Sequence, residues 1–151
     1  MTDQEPRTER RCEYVRFLPM SLCPTDNDAH GRLSSAACCA VFANVIDDFL
    51  KSEGLLDMFD RHSGGLSAHT FEVACRFHRA SGFPDNIDAG LRIGQLGNCS
   101  VRYEIGLFRA DEEKPVATGH VVQVFVAREN DKPATIPAEI RARLARLSRP
   151  A

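Results

Sequence analysis

Two carboxylates and two serines crowd the segment Thr25-Asp26-Asn27-Asp28-Ala29-His30-Gly31-Arg32-Leu33-Ser34-Ser35. It leads into Ala36-Ala37-Cys38-Cys39-Ala40-Val41-Phe42-Ala43-Asn44-Val45-Ile46, in which only Asn44 is polar. Serine is a favoured helix N-cap because its hydroxyl accepts a bond from a free N–H of the first turn. That turn also carries unpaired N–H groups at the positive end of the helix dipole, a setting that suits an anion or the oxyanion of an acyl-transfer reaction. Asp28, a few residues upstream, is within reach of whatever binds there, and an acid or base beside an oxyanion site is the minimum equipment for acyl transfer. Gly31 lets the backbone turn closely over the helix start. The same Asp-x-Asp pattern also serves as a plain turn with a capping role, and spacing alone does not choose between the two.

Other chemistries find less support. There is no G-x-S-x-G elbow, no Walker-type or dinucleotide-type glycine pattern after a strand, and no H-E-x-x-H. Cys12, Cys23, Cys38, Cys39, Cys75 and Cys99 form no C-x-x-C pair, and no histidine stands at finger-like spacing from them. The expectation is no metal, and free thiols buried as small apolar side chains.

The elements that must position Asp28 are legible in the periodicity. Ser35 to Glu53 reads as one helix, ending before Gly54 at the expected left-handed cap. For about three turns it is apolar all round, so it should be covered on most sides. Tyr14 to Leu18 is a short first strand. Period-two alternation then marks strands over Phe71–His78, Ile87–Gly94 and Ser100–Leu107, with a β-branched run from Val116 to Val126. Connections are short, which favours antiparallel neighbours. Ile140, Leu144 and Leu147 give a closing helix over Pro137–Leu147. One curved antiparallel sheet of five strands around one central helix satisfies every face, an α+β architecture. Its open edges call for pairing with a second copy about a two-fold axis.

The length, 151 residues, is that of one domain, expected over 13–151 behind a flexible tail of residues 1–12. A net charge of -2 from 19 basic and 21 acidic residues argues against nucleic acid as a partner. No run approaches a membrane span, and the polar first eleven residues lack a secretory pattern, so cytoplasm is the expected location.

Asp26-x-Asp28-x-x-Gly31 resembles the D-x-D-x-x-G-H-V-N-N opening of hotdog-fold acyl-CoA thioesterases of the 4-hydroxybenzoyl-CoA thioesterase type. Phe71 to Phe77 is similar to that family's second strand, Leu96-Gly97-Asn98-Cys99-Ser100 to its glycine-to-serine turn, Val116 to Val126 to its last long strand, and Ile136-Pro137-Ala138-Glu139 to its closing helix. The likeness runs from about residue 14 to 147. Arg32-Leu33-Ser34-Ser35 replaces His-Val-Asn-Asn, and Gly97, Asn98 and Cys99 are neutral where some members are basic. The resemblance implies a hotdog fold dimerising through its sheet, as a homodimer or dimer of dimers. It implies acyl-CoA as substrate, with no cofactor beyond the coenzyme A of that substrate. Asp28 would be the catalytic base or nucleophile, and the N–H of Ser35 would polarise the thioester carbonyl. Gly31 and Ser34 would line the substrate, with Asp26 ordering the loop. His69 is a candidate for the acyl pocket, and Ser100 and Arg128 for the coenzyme A phosphates. Two other readings stand beside this one: an acyl-CoA-binding hotdog module without turnover, and a hotdog enoyl-CoA hydratase.

Overall fold

Ser34 starts the central element. Its backbone is extended and its side chain accepts a bond from the Ala37 N–H, which caps helix α1, Ser35–Ser52. In the computed structural model, which describes residues 9–61 and 64–148, the helix stops where Gly54 takes φ +70. Ala37, Cys38, Val41, Phe42, Val45, Ile46, Phe49 and Leu50 recur at helical spacing and are buried. Each large apolar side chain among them contributes roughly 1.5–3 kcal/mol by leaving water.

They pack on a sheet of five antiparallel strands: β1 Arg16–Met20, β2 Leu66–Phe77, β3 Ile87–Leu96, β4 Ser100–Arg109 and β5 Ala117–Ala127. The order is β1-β3-β4-β5-β2. Alternation does what pleating requires. Leu91, Ile93, Val101, Tyr103, Ile105, Val121 and Phe125 are buried in the core, while Arg102, Glu104 and His120 occupy the opposite face. This is the wrapped-helix α+β architecture expected from the sequence. A short helix α2, Leu55–Arg61, follows α1 and was not anticipated; Leu55 and Phe59 bury it. Helix α3, Ala138–Ala145, closes the chain with Ile140 and Leu144 inward. Among the described residues no helix is long and apolar enough to cross a membrane.

Three expectations are corrected. First, α1 is not covered all round: Ala36, Cys39, Ala40 and Ala43 are exposed, because one sheet reaches only one side of the helix. Likewise only Cys38 of the six free cysteines is buried. Secondly, β2 starts earlier than its alternation suggested and is an edge strand. Its register shifts between Thr70 and Glu72, and Phe71, Val73 and Phe77 are 79%, 40% and 47% exposed. Thirdly, the expected tail is anchored where it is described. Arg11 binds Asp88 at 3.0 Å and the carbonyls of Arg109 and Glu112. Glu9 binds the buried Arg92 at 2.6 Å and the Tyr14 hydroxyl at 2.7 Å. Residues 1–8 lie outside the described residues.

Gly119 sets how closely α1 approaches β5. A Cβ there would meet the Ala74 carbonyl and the Phe42 ring. Gly119→Ala should therefore cost about 1–3 kcal/mol, seen as a lower urea midpoint with unchanged slope. An unchanged midpoint would contradict this packing.

Candidate active site

The loop before α1 is bolted to the molecule from both sides. The Ser34 N–H donates to the Asp26 carbonyl at 2.9 Å, and the Leu33 N–H to the Ser81 carbonyl at 2.7 Å. The Asn27 side chain accepts from the Phe83 N–H at 2.9 Å and donates to the Phe83 carbonyl at 3.1 Å. Asp26 accepts the Cys23 N–H at 2.7 Å. These bonds fix a short turn, Asp28 to Arg32, in front of the helix tip.

Within that turn Asp28 Oδ1 accepts the N–H of His30 at 2.8 Å and of Arg32 at 3.0 Å. The Gly31 N–H closes back on the Asp28 carbonyl at 3.1 Å. Gly31 holds φ +75, a value that excludes most side chains without strain. The two backbone donors hold the Asp28 carboxyl below the ordinary carboxylate range, with the charges of His30 and Arg32 adding to them. Asp28 is thus an anion across the neutral range. Its Oδ2 has no partner among the described residues.

Two N–H groups at the tip of α1 are left unpaired among the described residues. Ser34 Oγ satisfies Ala37, and the Ser34 carbonyl satisfies Cys38. Ser35 and Ala36, the first two residues of α1, find no acceptor among the described residues. The carboxylate and the helix tip share one cavity of about 440 Å³, bounded by Asp28, Arg32, Leu33, Ser35 and the Phe77–Ser81 segment. His78, held by Thr118 Oγ1 at 2.7 Å, has its pKa lowered by burial and by the charges of Arg76 and Arg79, so it stands there neutral. An anionic carboxylate, the unpaired N–H of Ser35 and the cavity they share are a layout that can cleave an acyl bond.

Asp28, Gly31, Ser34 and Ser35 are therefore brought together. Three other candidates are not. His69 and Ser100 both pair with Val124, which lies roughly 23 Å along β5 from Ala117 at strand spacing, whereas Phe77 of the cavity pairs with Ala117 itself. His69 also faces away from α1, since its neighbour Ala68 packs into the core. Arg128 is committed to Asp60 at 2.6 Å and to Ser67 Oγ at 3.2 Å. Strand parity suggested these residues, but parity says nothing of distance along a sheet. Conversely, Phe77, His78, Arg79 and Ser81 were missed. They surround the end of β2, and only the strand order brings that end to the tip of α1. Among the described residues no group of three or more His, Cys, Asp or Glu side chains could hold a metal ion.

This fold, with a carboxylate at the tip of a sheet-wrapped helix, defines a class. Residues 23–144 match the thioesterase-like superfamily, and the chain belongs to it; the activity of the class is thioester hydrolysis. A Pseudomonas aeruginosa protein of known structure is 33% identical, with a TM-score of 0.85 over 95% of this chain and 99% of that one. A 1,4-dihydroxy-2-naphthoyl-CoA thioesterase from Synechocystis is 17% identical, with a TM-score of 0.76 over 89% of this chain and 98% of that one. A Staphylococcus aureus protein, solved in complex with CoA, is 15% identical, with a TM-score of 0.77 over 89% of this chain and 85% of that one. No functionally curated protein matches the sequence.

Proposed function

We propose that the chain hydrolyses the thioester bond of an acyl-CoA, with Asp28 as the catalytic carboxylate and the Ser35 N–H as the oxyanion donor. One observation carries this reading: Asp28 and Ser35, the residue whose N–H is unpaired at the first position of α1, line the same cavity. With Oδ1 saturated by backbone donors, Oδ2 is the atom left to act. It takes a proton from water as the water oxygen attacks the carbonyl carbon, or attacks that carbon itself. Negative charge then develops on the carbonyl oxygen, where the helix tip stabilises it. With water as nucleophile, collapse expels the coenzyme A thiolate, which takes up the proton held by Asp28. With Asp28 as nucleophile, collapse leaves a mixed anhydride on Asp28, which water then hydrolyses, restoring the carboxylate and supplying the proton to the thiolate. Either way the products are a carboxylic acid and free coenzyme A. Coenzyme A enters only as part of the substrate. Resemblance in the opening motif favours the 4-hydroxybenzoyl-CoA branch. A hydratase of the Asp–His type is disfavoured, because the Asp28 side chain bonds only backbone groups.

The working unit in this reading is a homodimer, or a dimer of dimers. The free edge of β2 exposes Phe71, Val73 and Phe77, next to the bare Ala36, Cys39, Ala40 and Ala43 of α1. Antiparallel pairing of β2 with its copy covers both. Such pairing also turns the end of the sheet that carries His69 toward the other copy's cavity, which keeps His69 as a candidate substrate contact across the interface, whereas Arg128 stays with Asp60 and Ser67.

Asp28→Asn should lower turnover by about 10²- to 10⁴-fold while leaving the fold intact, and near wild-type hydrolysis by this variant would remove Asp28 from the mechanism. Ser35→Pro is a sharper test, since proline is welcome at the first position of a helix but carries no N–H. Its kcat should fall about 10²- to 10³-fold, with Ser35→Ala close to wild type; equal rates for the two would exclude the oxyanion role.

Since the base must be deprotonated and its pKa is depressed, the acid limb of kcat/KM should lie below about pH 4. A limb near pH 6 would assign the base to another group. By light scattering at micromolar concentration the wild type should weigh at least two chains, and Phe71→Glu should weigh one and lose hydrolysis. A monomeric, active wild type would overturn the assembly.

A further inference from the structure

The substrate proposed above carries a diphosphate and a further phosphate at the end remote from the thioester. Those anions need charge-assisted donors. The glycine-to-serine turn offers none, because Gly97, Asn98 and Cys99 are neutral, and Arg128 is spent on Asp60 and Ser67.

A second cavity, of about 420 Å³, opens on the sheet face turned away from α1. His78 lines both this cavity and the one holding Asp28. The two spaces therefore meet across the end of β2, one on each side of the sheet edge. The floor of the second is Ala74, Thr118 and Gly119, small enough to admit a ligand lying flat on the strands.

Most charges around this second space are already matched. Glu9 and Glu104 bind Arg92 at 2.6 and 3.0 Å. Arg102 lies 3.8 Å from Glu104 and 3.1 Å from His120 Nδ1. His120 Nε2 lies 3.1 Å from Glu72. Arg76 is the exception. It is exposed, lines the cavity, and has no ion pair or hydrogen bond among the described residues. Because the neighbouring acids are paired with other cations, they leave its charge unneutralised. A planar guanidinium with all its donors free, at the junction with the Asp28 cavity, suits a phosphate group.

We propose that the coenzyme A arm runs from the Asp28 cavity over His78 into this second cavity, and that Arg76 grips its phosphates there. The proposal rests on the acyl-CoA reading for its ligand, but Arg76 is outside the catalytic cavity and takes no part in bond cleavage. Arg76 therefore contributes to binding of the phosphate-bearing substrate alone.

The test compares one acyl group on two thiols, coenzyme A and N-acetylcysteamine, the second of which lacks every phosphate. In Arg76→Ala, KM for acyl-CoA should rise about tenfold with kcat within about twofold, and Arg76→Glu should raise it further. Neither variant should alter kcat/KM for the N-acetylcysteamine thioester, and Arg128→Ala should leave both substrates unaffected. Added salt should raise the wild-type KM for acyl-CoA more steeply than that of Arg76→Ala. Titration of coenzyme A itself by calorimetry gives a readout independent of turnover, in which Arg76→Ala should weaken Kd by a similar factor. An unchanged KM and Kd in Arg76→Ala would overturn the proposal, as would an equal loss on both thioesters or a larger effect from Arg128→Ala. If the wild type cleaves neither thioester but binds coenzyme A through Arg76, the hydrolytic reading falls and this one stands.

Discussion

The structure depends on one packing constraint, a helix more apolar than a solvated helix can be. Phe42, Ile46, Phe49 and Leu50 must leave water, and a helix of 18 residues needs a long surface to do so. The five strands supply it. Once α1 is seated, its first turn is fixed at the end of β2, because Gly119 and Phe42 set the approach. The N–H groups of Ser35 and Ala36 are left at the rim, where the core no longer reaches. A helix end left without partners is a cost in most settings, and here it is the feature that can act on a polar bond.

The loop before the helix converts that end into a site. Its bonds to Ser81 and Phe83 hold Asp28 in place before any ligand arrives. The turn at Gly31 directs two N–H groups at one carboxylate oxygen and leaves the other unpaired. The carboxylate is therefore ionised and oriented in the free protein, which is the preorganisation that electrostatic catalysis draws on. The walls contributed by Phe77, His78 and Arg79 come from the end of β2 and the residues just past it, far away in sequence, so site and fold cannot be separated.

How much of this was legible in the sequence follows from what each signal encodes. A serine cap, an apolar run and a glycine stop mark a helix locally, and Ser35–Ser52 agrees with the expected 35 to 53 within a residue. Alternation encodes which face of a strand is buried, so the five strands and their inward residues were readable. It does not encode where in the sheet a strand lies. Hence Phe71 and Phe77 read as core although β2 is an edge, and the bulge near Phe71 interrupts the phase without an obvious glycine. His69, Ser100 and Arg128 were chosen by parity or by position past a strand, and strand order separates them from Asp28 within one chain. The pairing of Glu9 with Arg92 was invisible for the same reason, since nothing local marks a polar segment as one that binds a buried charge.

The central claim is geometric: a thioester carbonyl is held between the amide tip of α1 and the free oxygen of Asp28. A crystal structure with a non-hydrolysable thioether or ketone analogue of an acyl-CoA addresses it most directly. The account predicts the carbonyl oxygen of a ketone analogue at about 3 Å from the Ser35 nitrogen, with Asp28 Oδ2 facing the carbonyl carbon directly or through one water. An analogue bound with its carbonyl remote from both groups would contradict it.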